Sequence, residues 1–97
     1  MSDHSLVERT VQLVNEQGLH MRPADTFVRA ASGFESDIQI QKDDHTVDGR
    51  SILSILTLAA DQGSELRLIA KGHDAERAIT QLAELIESGF AELAGEH

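Results

Sequence analysis

The chain has 97 residues and a formal net charge of −9, from 17 acidic and 8 basic side chains. That is enough chain for one domain with one modest core, and its acidity argues against general nucleic-acid binding and against adhesion to anionic membranes, which need clustered Lys and Arg. The absence of Cys excludes disulfides, thiolate chemistry and Cys-ligated metals.

Forty per cent of the residues are hydrophobic, yet the three Phe are the only aromatics, so the core must be built from Leu, Ile, Val and Ala. No apolar run approaches the roughly 20 residues that cross a bilayer. The opening MSDHSLVERT has neither the basic nor the apolar region of a secretory signal, so a cytoplasmic location is expected.

Residues 6–14, LVERTVQLV, alternate, with Val7, Val11 and Leu13 on one side and Glu8, Thr10 and Gln12 on the other. This is the pattern of a half-buried strand. A turn follows at Asn15-Glu16-Gln17-Gly18. From Pro23 the apolar residues Ala24, Phe27, Val28 and Ala31 recur at helical spacing, with Asp25 expected in the first turn and Ser32-Gly33 at the end. Ile38 and Ile40 alternate with Asp37, Gln39 and Gln41 in a second strand, Lys42-Asp43-Asp44-His45 reads as a hairpin turn, and Thr46-Val47-Asp48 as a short third strand.

Asp48-Gly49-Arg50 breaks that strand. Ser51 is a good N-cap for a short apolar helix carrying Ile52, Leu53, Ile55, Leu56 and Leu58. The density of apolar side chains there predicts that some face a partner rather than the core. After the turn Asp61-Gln62-Gly63-Ser64, Leu66, Leu68 and Ala70 alternate with Glu65, Arg67 and Lys71 in a fourth strand. Asp74 is the N-cap candidate of a last helix with Ala75, Ala78, Ile79, Leu82, Leu85 and Ile86 on its apolar face. Gly89 marks its end, and the chain beyond it is expected to fray.

The order β-α-β-β-α-β-α with polar alternation in the strands predicts an α+β fold, a mostly antiparallel sheet with helices on one face and water on the other. A single domain over 1–97 is expected, packed over about 5–90 with a frayed tail at 91–97.

Residues 18–24, Gly18-Leu19-His20-Met21-Arg22-Pro23-Ala24, hold the chemistry. Pro belongs in a helix's first turn, where the N–H it lacks would be an orphan. His20 then falls at or beside the N-cap, with Arg22 within one turn. An imidazole, helix N–H groups and a guanidinium together suit a phosphoryl group; the plain alternative is an exposed helix start. His4, His45, His73 and His97 are scattered, without ligand spacing, and no metal site is expected from them. No Gly-rich phosphate loop or nucleophilic triad points to a free-standing enzyme.

These residues resemble the HPr family, the histidine-containing phosphocarriers of the bacterial phosphoenolpyruvate-dependent phosphotransferase system. The 18–24 stretch matches the family's GLHARPA pattern except at Met21, and Val47-Asp48-Gly49-Arg50-Ser51-Ile52-Leu53 is similar to its VNxKSI segment. The likeness spans roughly residues 5–90. It implies an open-faced β-sandwich, a four-stranded antiparallel sheet with three helices on one face. It implies that His20 accepts phosphate on Nδ1 from phosphorylated enzyme I and passes it to enzyme II A domains, with no cofactor of the carrier's own. Arg22 would pair with the phosphoryl oxygens and Pro23 would set the helix start. Ser51 would be the target of a regulatory kinase (HPr kinase/phosphorylase). Met21, Arg29, Arg50, Ile52, Leu53 and Leu56 are candidate docking residues on a monomeric carrier. Ser32 and Ser54 stand where the family often has Lys, so the basic patch that receives acidic partners is thin. Two alternatives remain: a nitrogen-branch carrier, towards which Glu87-Ser88-Gly89-Phe90 leans while Arg50-Ser51-Ile52 favours the sugar branch, and a regulatory binding module acting mainly through Ser51.

Overall fold

Alternating side chains sort the strands into a sheet with one dry face. The computed structural model describes residues 5–91, in the order β1 (Leu6–Gln12), α1 (Met21–Ala31), β2 (Asp37–Lys42), β3 (His45–Asp48), α2 (Ile52–Leu56), β4 (Glu65–Lys71) and α3 (Ala75–Glu87). Val11, Ile38, Ile40, Val47, Leu66, Leu68 and Ala70 are buried on one face. Thr10, Gln39, Thr46 and Arg67 are exposed on the other.

The strand order is β1-β4-β2-β3, and every neighbouring pair is antiparallel. β4, last in sequence, lies between β1 and β2, which therefore run the same way. The chain must cross over β4 to pass from one to the other, and a crossover between strands of the same sense needs a helix-length connection. α1 is that connection, and α2 with its flanking turns carries the chain from β3 to β4 in the same manner. α1 buries Pro23, Ala24, Phe27 and Ala31, and α3 buries Ala75, Ala78, Ile79, Leu82, Ala83 and Ile86. Both sets follow the three-to-four spacing of a helix packed along one stripe. Phe27, Leu66 and Leu82 are completely buried, each contributing roughly 1.5–3 kcal/mol of transfer free energy. The expected four-stranded antiparallel sheet with three helices is the observed fold.

Local differences have physical reasons. α1 begins at Met21, two residues before Pro23, because His20 already accepts the first helical bond from the Ala24 N–H at 2.9 Å. Asp25 therefore lies past the first turn, and it pairs instead with Arg29 one turn on, at 2.9 Å. β3 extends back to His45, paired with Lys42, because Asp43 takes a left-handed conformation (φ 55°) that closes the hairpin. Asp74 occupies the N-cap position of α3 without capping it; its carboxylate is used elsewhere, as described below.

The end of α3 corrects the expectation of fraying at residue 90. Gly89 (φ 71°) donates to the Ile86 carbonyl and Phe90 donates to the Leu85 carbonyl, both at 3.0 Å. This pair of bonds is a Schellman motif, which turns the chain back over the helix end. Phe90, 1% exposed, is thereby folded into the core. Residues 92–97, most of the expected frayed tail, lie outside the described residues.

Candidate functional site

The site is assembled where two loops meet at one end of the sheet. After β1, Leu13 exchanges backbone bonds with the segment before β4: its N–H donates to Ser64 (2.9 Å) and its carbonyl accepts from Gly63 (2.7 Å). The 14–19 and 59–64 loops are thus held side by side. The first is closed by the Gly18 N–H donating to the Asn15 carbonyl (3.1 Å) and the Asn15 side-chain amide donating to the Gly18 carbonyl (2.8 Å). Gly18 has φ 69°, and a Cβ there would stand 2.3 Å from the Ala60 carbonyl oxygen. Only glycine fits both the conformation and the approach. The next N–H, from Leu19, donates to that same carbonyl at 3.0 Å, and the Leu19 side chain is buried.

His20 follows this doubly fixed pair and is the N-cap of α1, with extended backbone (φ −80°, ψ −174°). Its imidazole makes no capping hydrogen bond and is exposed. Met21, 57% exposed, and Arg22, also exposed, form the first turn with Pro23, which is buried. Pro23 has no N–H, so this helix start presents one orphan donor fewer than usual. His20 lies in an open depression of about 390 Å³ lined also by Leu19, Met21, Leu56, Ala59, Ala60 and Asp61. Ala59 closes the end of α2 by donating to the Leu56 carbonyl at 3.1 Å and has φ 49°, an uncommon conformation outside glycine.

α2 forms the neighbouring surface. The Ser51 hydroxyl is the N-cap, accepting from the Ser54 N–H at 3.2 Å and lying 3.0 Å from the Ser54 hydroxyl. Ile55 and Leu58 are buried, Ile52 and Leu56 are half-buried, and Leu53 is 76% exposed. Of the candidate site residues, His20, Met21 and Leu56 share the depression, whereas the two expected rim arginines are occupied within the chain. Arg29 pairs with Asp25. Arg50 turns inward, and its guanidinium donates to the carbonyls of Phe34 (2.5 Å) and Ser36 (2.9 Å).

Those carbonyls belong to a second polar cluster, at the far end of α1. The Asp74 carboxylate accepts from the N–H groups of Glu35 (2.9 Å) and Ser36 (3.0 Å) and from the Ser36 hydroxyl. The Ser36 hydroxyl, then the Glu35 N–H, hold its pKa down from the ordinary 3.8 to about 2. His73 adds a contact to Glu35, and His45 lies 3.1 Å from the Thr57 hydroxyl. Among the described residues no group of three or more His, Asp or Glu is placed to hold a metal ion; His4 and His97 fall outside them.

Sequence reasoning missed Asp61 and Ala59 as neighbours of His20, and Asp74 as a long-range acceptor. The one signal pointing to the first pair was Gly18, whose need for a close backbone neighbour did not say which neighbour.

A family profile described as "PTS HPr component phosphorylation site" matches residues 7–88. The chain belongs to the HPr family. It is 44% identical over 81 residues to the phosphocarrier protein HPr of Borreliella burgdorferi, covering 84% of this chain and 92% of that protein. The crystal structure of HPr from Thermoanaerobacter tengcongensis superposes with a TM-score of 0.85 at 45% identity, over 88% of this chain and 96% of that one. The Bacillus subtilis catabolite repression protein Crh superposes at 0.70 with 36% identity, over 84% and 94%, and is described as a dimer formed by domain swapping. The function that goes with this membership is that of an HPr phosphocarrier of the phosphotransferase system. No helix among the described residues is long and apolar enough to cross a membrane.

Proposed function

We propose that His20 is the phosphoryl acceptor of this carrier, loaded on Nδ1 by phosphorylated enzyme I and unloaded to enzyme II A domains in the cytoplasm. The observation that carries the reading is an exposed imidazole, uncommitted to capping, at the N-cap of an eleven-residue helix. Neutral imidazole is a good nucleophile near pH 7. In-line transfer between two histidines asks mainly for positioning and charge stabilisation, so the carrier itself needs no metal. Arg22 pairs with the phosphoryl oxygens. Pro23, buried beneath the first turn, fixes the backbone that aims His20. Met21, Ile52, Leu53 and Leu56 supply the apolar docking contacts, which the exposure of Met21 and Leu53 supports.

The test is incubation with enzyme I, Mg²⁺ and labelled phosphoenolpyruvate. Acid-labile, base-stable label that vanishes in His20→Ala is the expected result, and label retained in that variant overturns the assignment. Arg22→Ala slows transfer with the fold intact; an unchanged rate removes Arg22 from the mechanism.

Ser51 is the proposed regulatory site, acting beside the same docking face. Likeness to a Bacillus subtilis protein described as a catabolite repression HPr favours a regulatory use of this scaffold. A cognate HPr kinase/phosphorylase labels the wild type but not Ser51→Ala. Failure to label wild type, under conditions that label a known substrate, sinks this role. The carrier acts as a monomer, and sedimentation at micromolar concentration distinguishes it from a swapped dimer.

A further inference from the structure

The basic patch around His20, expected to be thin, is thinner still in the structure. Arg29 and Arg50, the two cations expected on its rim, are drawn respectively to Asp25 and to the backbone carbonyls of Phe34 and Ser36. Ser32 and Ser54 add no charge. Asp61 lines the same depression as His20, Met21 and Leu56, and it is exposed. Its carboxylate enters none of the ion pairs among the described residues. The turn it occupies is held by its backbone instead, the Asp61 N–H donating to the Ser64 hydroxyl at 3.1 Å. Among the described residues the Asp61 side chain makes no hydrogen bond or ion pair.

Resting on the carrier reading above, we infer that Asp61 selects partners whose docking surface is basic at the point facing it: a protein face with an apolar centre for Met21, Leu53 and Leu56 and a Lys or Arg opposite Asp61. An acidic partner would meet this carboxylate with Arg29 and Arg50 both engaged within the chain, and like charges brought together in a docked interface are costly. A basic partner gains a contact whose strength grows as docking excludes water. The net charge of −9 gives long-range attraction of the same sign. Arg22, assigned to the phosphoryl group, leaves Asp61 as the charge that reads the partner. Loading His20 adds negative charge beside it, so a basic recipient is favoured further once the carrier is charged.

Transfer from the cell's own phosphorylated enzyme I tests this, measured for wild type, Asp61→Asn, Asp61→Lys and Glu76→Lys at low and high NaCl. Glu76→Lys makes the same charge change on an exposed position of α3 outside the depression. Asp61→Lys should raise KM for the carrier about tenfold and Asp61→Asn by about threefold, with kcat moving less, whereas Glu76→Lys should move KM by less than about twofold. Salt should raise KM for wild type and lower it for Asp61→Lys, because screening weakens attraction in one and repulsion in the other. A KM unchanged or lowered in both Asp61 variants, with thermal unfolding showing them folded, overturns the inference. An enzyme I that leaves wild type unlabelled overturns the carrier reading instead, and that failure is read before any variant is compared.

Discussion

At the C-terminal end of α1, the turn at 34–36 gives its polar groups to partners from distant parts of the chain. Asp74 takes two N–H groups and a hydroxyl, and Arg50 takes two carbonyls. At the N-terminal end of the same helix, His20 is exposed and does not cap the helix it begins. The backbone beneath it is as firmly held as the turn at the other end, through Gly18, Leu19 and the Ala60 carbonyl. One end spends its polar side chains on holding the fold together. The other fixes the backbone and leaves the side chain available. If His20 accepts and releases a phosphoryl group as proposed, it is well placed on a rigid support with its ring not tied up in capping the helix.

The strongest way to break that comparison is to remove His20. His20→Ala is expected to lose all phosphoryl labelling while its thermal unfolding stays within a few degrees of wild type, since the side chain makes no capping bond. A large drop in melting temperature would mean that this end also depends on its side chain for the fold. Gly18→Ala comes next. The φ of 69° and the 2.3 Å approach to the Ala60 oxygen force either strain or movement of the 59–61 loop, at a cost of about 2–4 kcal/mol. Denaturant unfolding measures the cost, and transfer should slow as well because His20 is displaced. A variant as stable as wild type would show that the two loops are not rigidly joined.

The strands and long helices were legible because burial imposes a period of two or of three to four, and Val11, Ile38, Leu66 or Ala78 obey it without help from distant residues. The motif at 18–24 was legible because a proline and a glycine restrict the backbone locally. What the pattern could not carry were contacts set by the crossing of the chain. Asp74 looks like a helix cap in sequence, yet its carboxylate reaches residues 38 and 39 positions earlier, brought close only because β4 inserts between β1 and β2. Arg50 reads as a surface cation until the 34–36 turn is laid beside it. Asp61 reads as a turn residue, and its place next to His20 depends on the pairing of Leu13 with the 63–64 segment. Gly89 announced the end of α3, but the inward fold of Phe90 follows from the two bonds beyond it.

Asp74 sharpens the comparison through pH. Its carboxyl is held at about 2 in the fold against an ordinary 3.8. A depressed carboxyl stabilises above its unfolded value, and that stabilisation is lost as pH falls through the folded one. Asp74→Asn should therefore lower the melting temperature at pH 7, with the gap to wild type closing between about pH 4 and pH 2. Phosphoryl transfer at 25 °C should be unaffected, since the clasp lies at the other end of α1. A constant gap across that range would mean that the carboxylate's charge is not what holds the 34–36 turn.

Leu53→Ala carries the smallest expected effect and asks whether the exposed face is used at all. Leu53 is 76% exposed on α2, so truncation leaves no cavity and should change stability by less than about 0.5 kcal/mol. If its apolar surface is buried only when a partner docks, the loss appears in association instead. KM for transfer from enzyme I should rise about two- to fivefold, a change of the size expected for one side chain of partial burial at an interface, with the unfolding midpoint unmoved. The opposite result, a stability loss with unchanged KM, would mean that Leu53 belongs with the packed end of the molecule and that docking is confined to the first turn of α1.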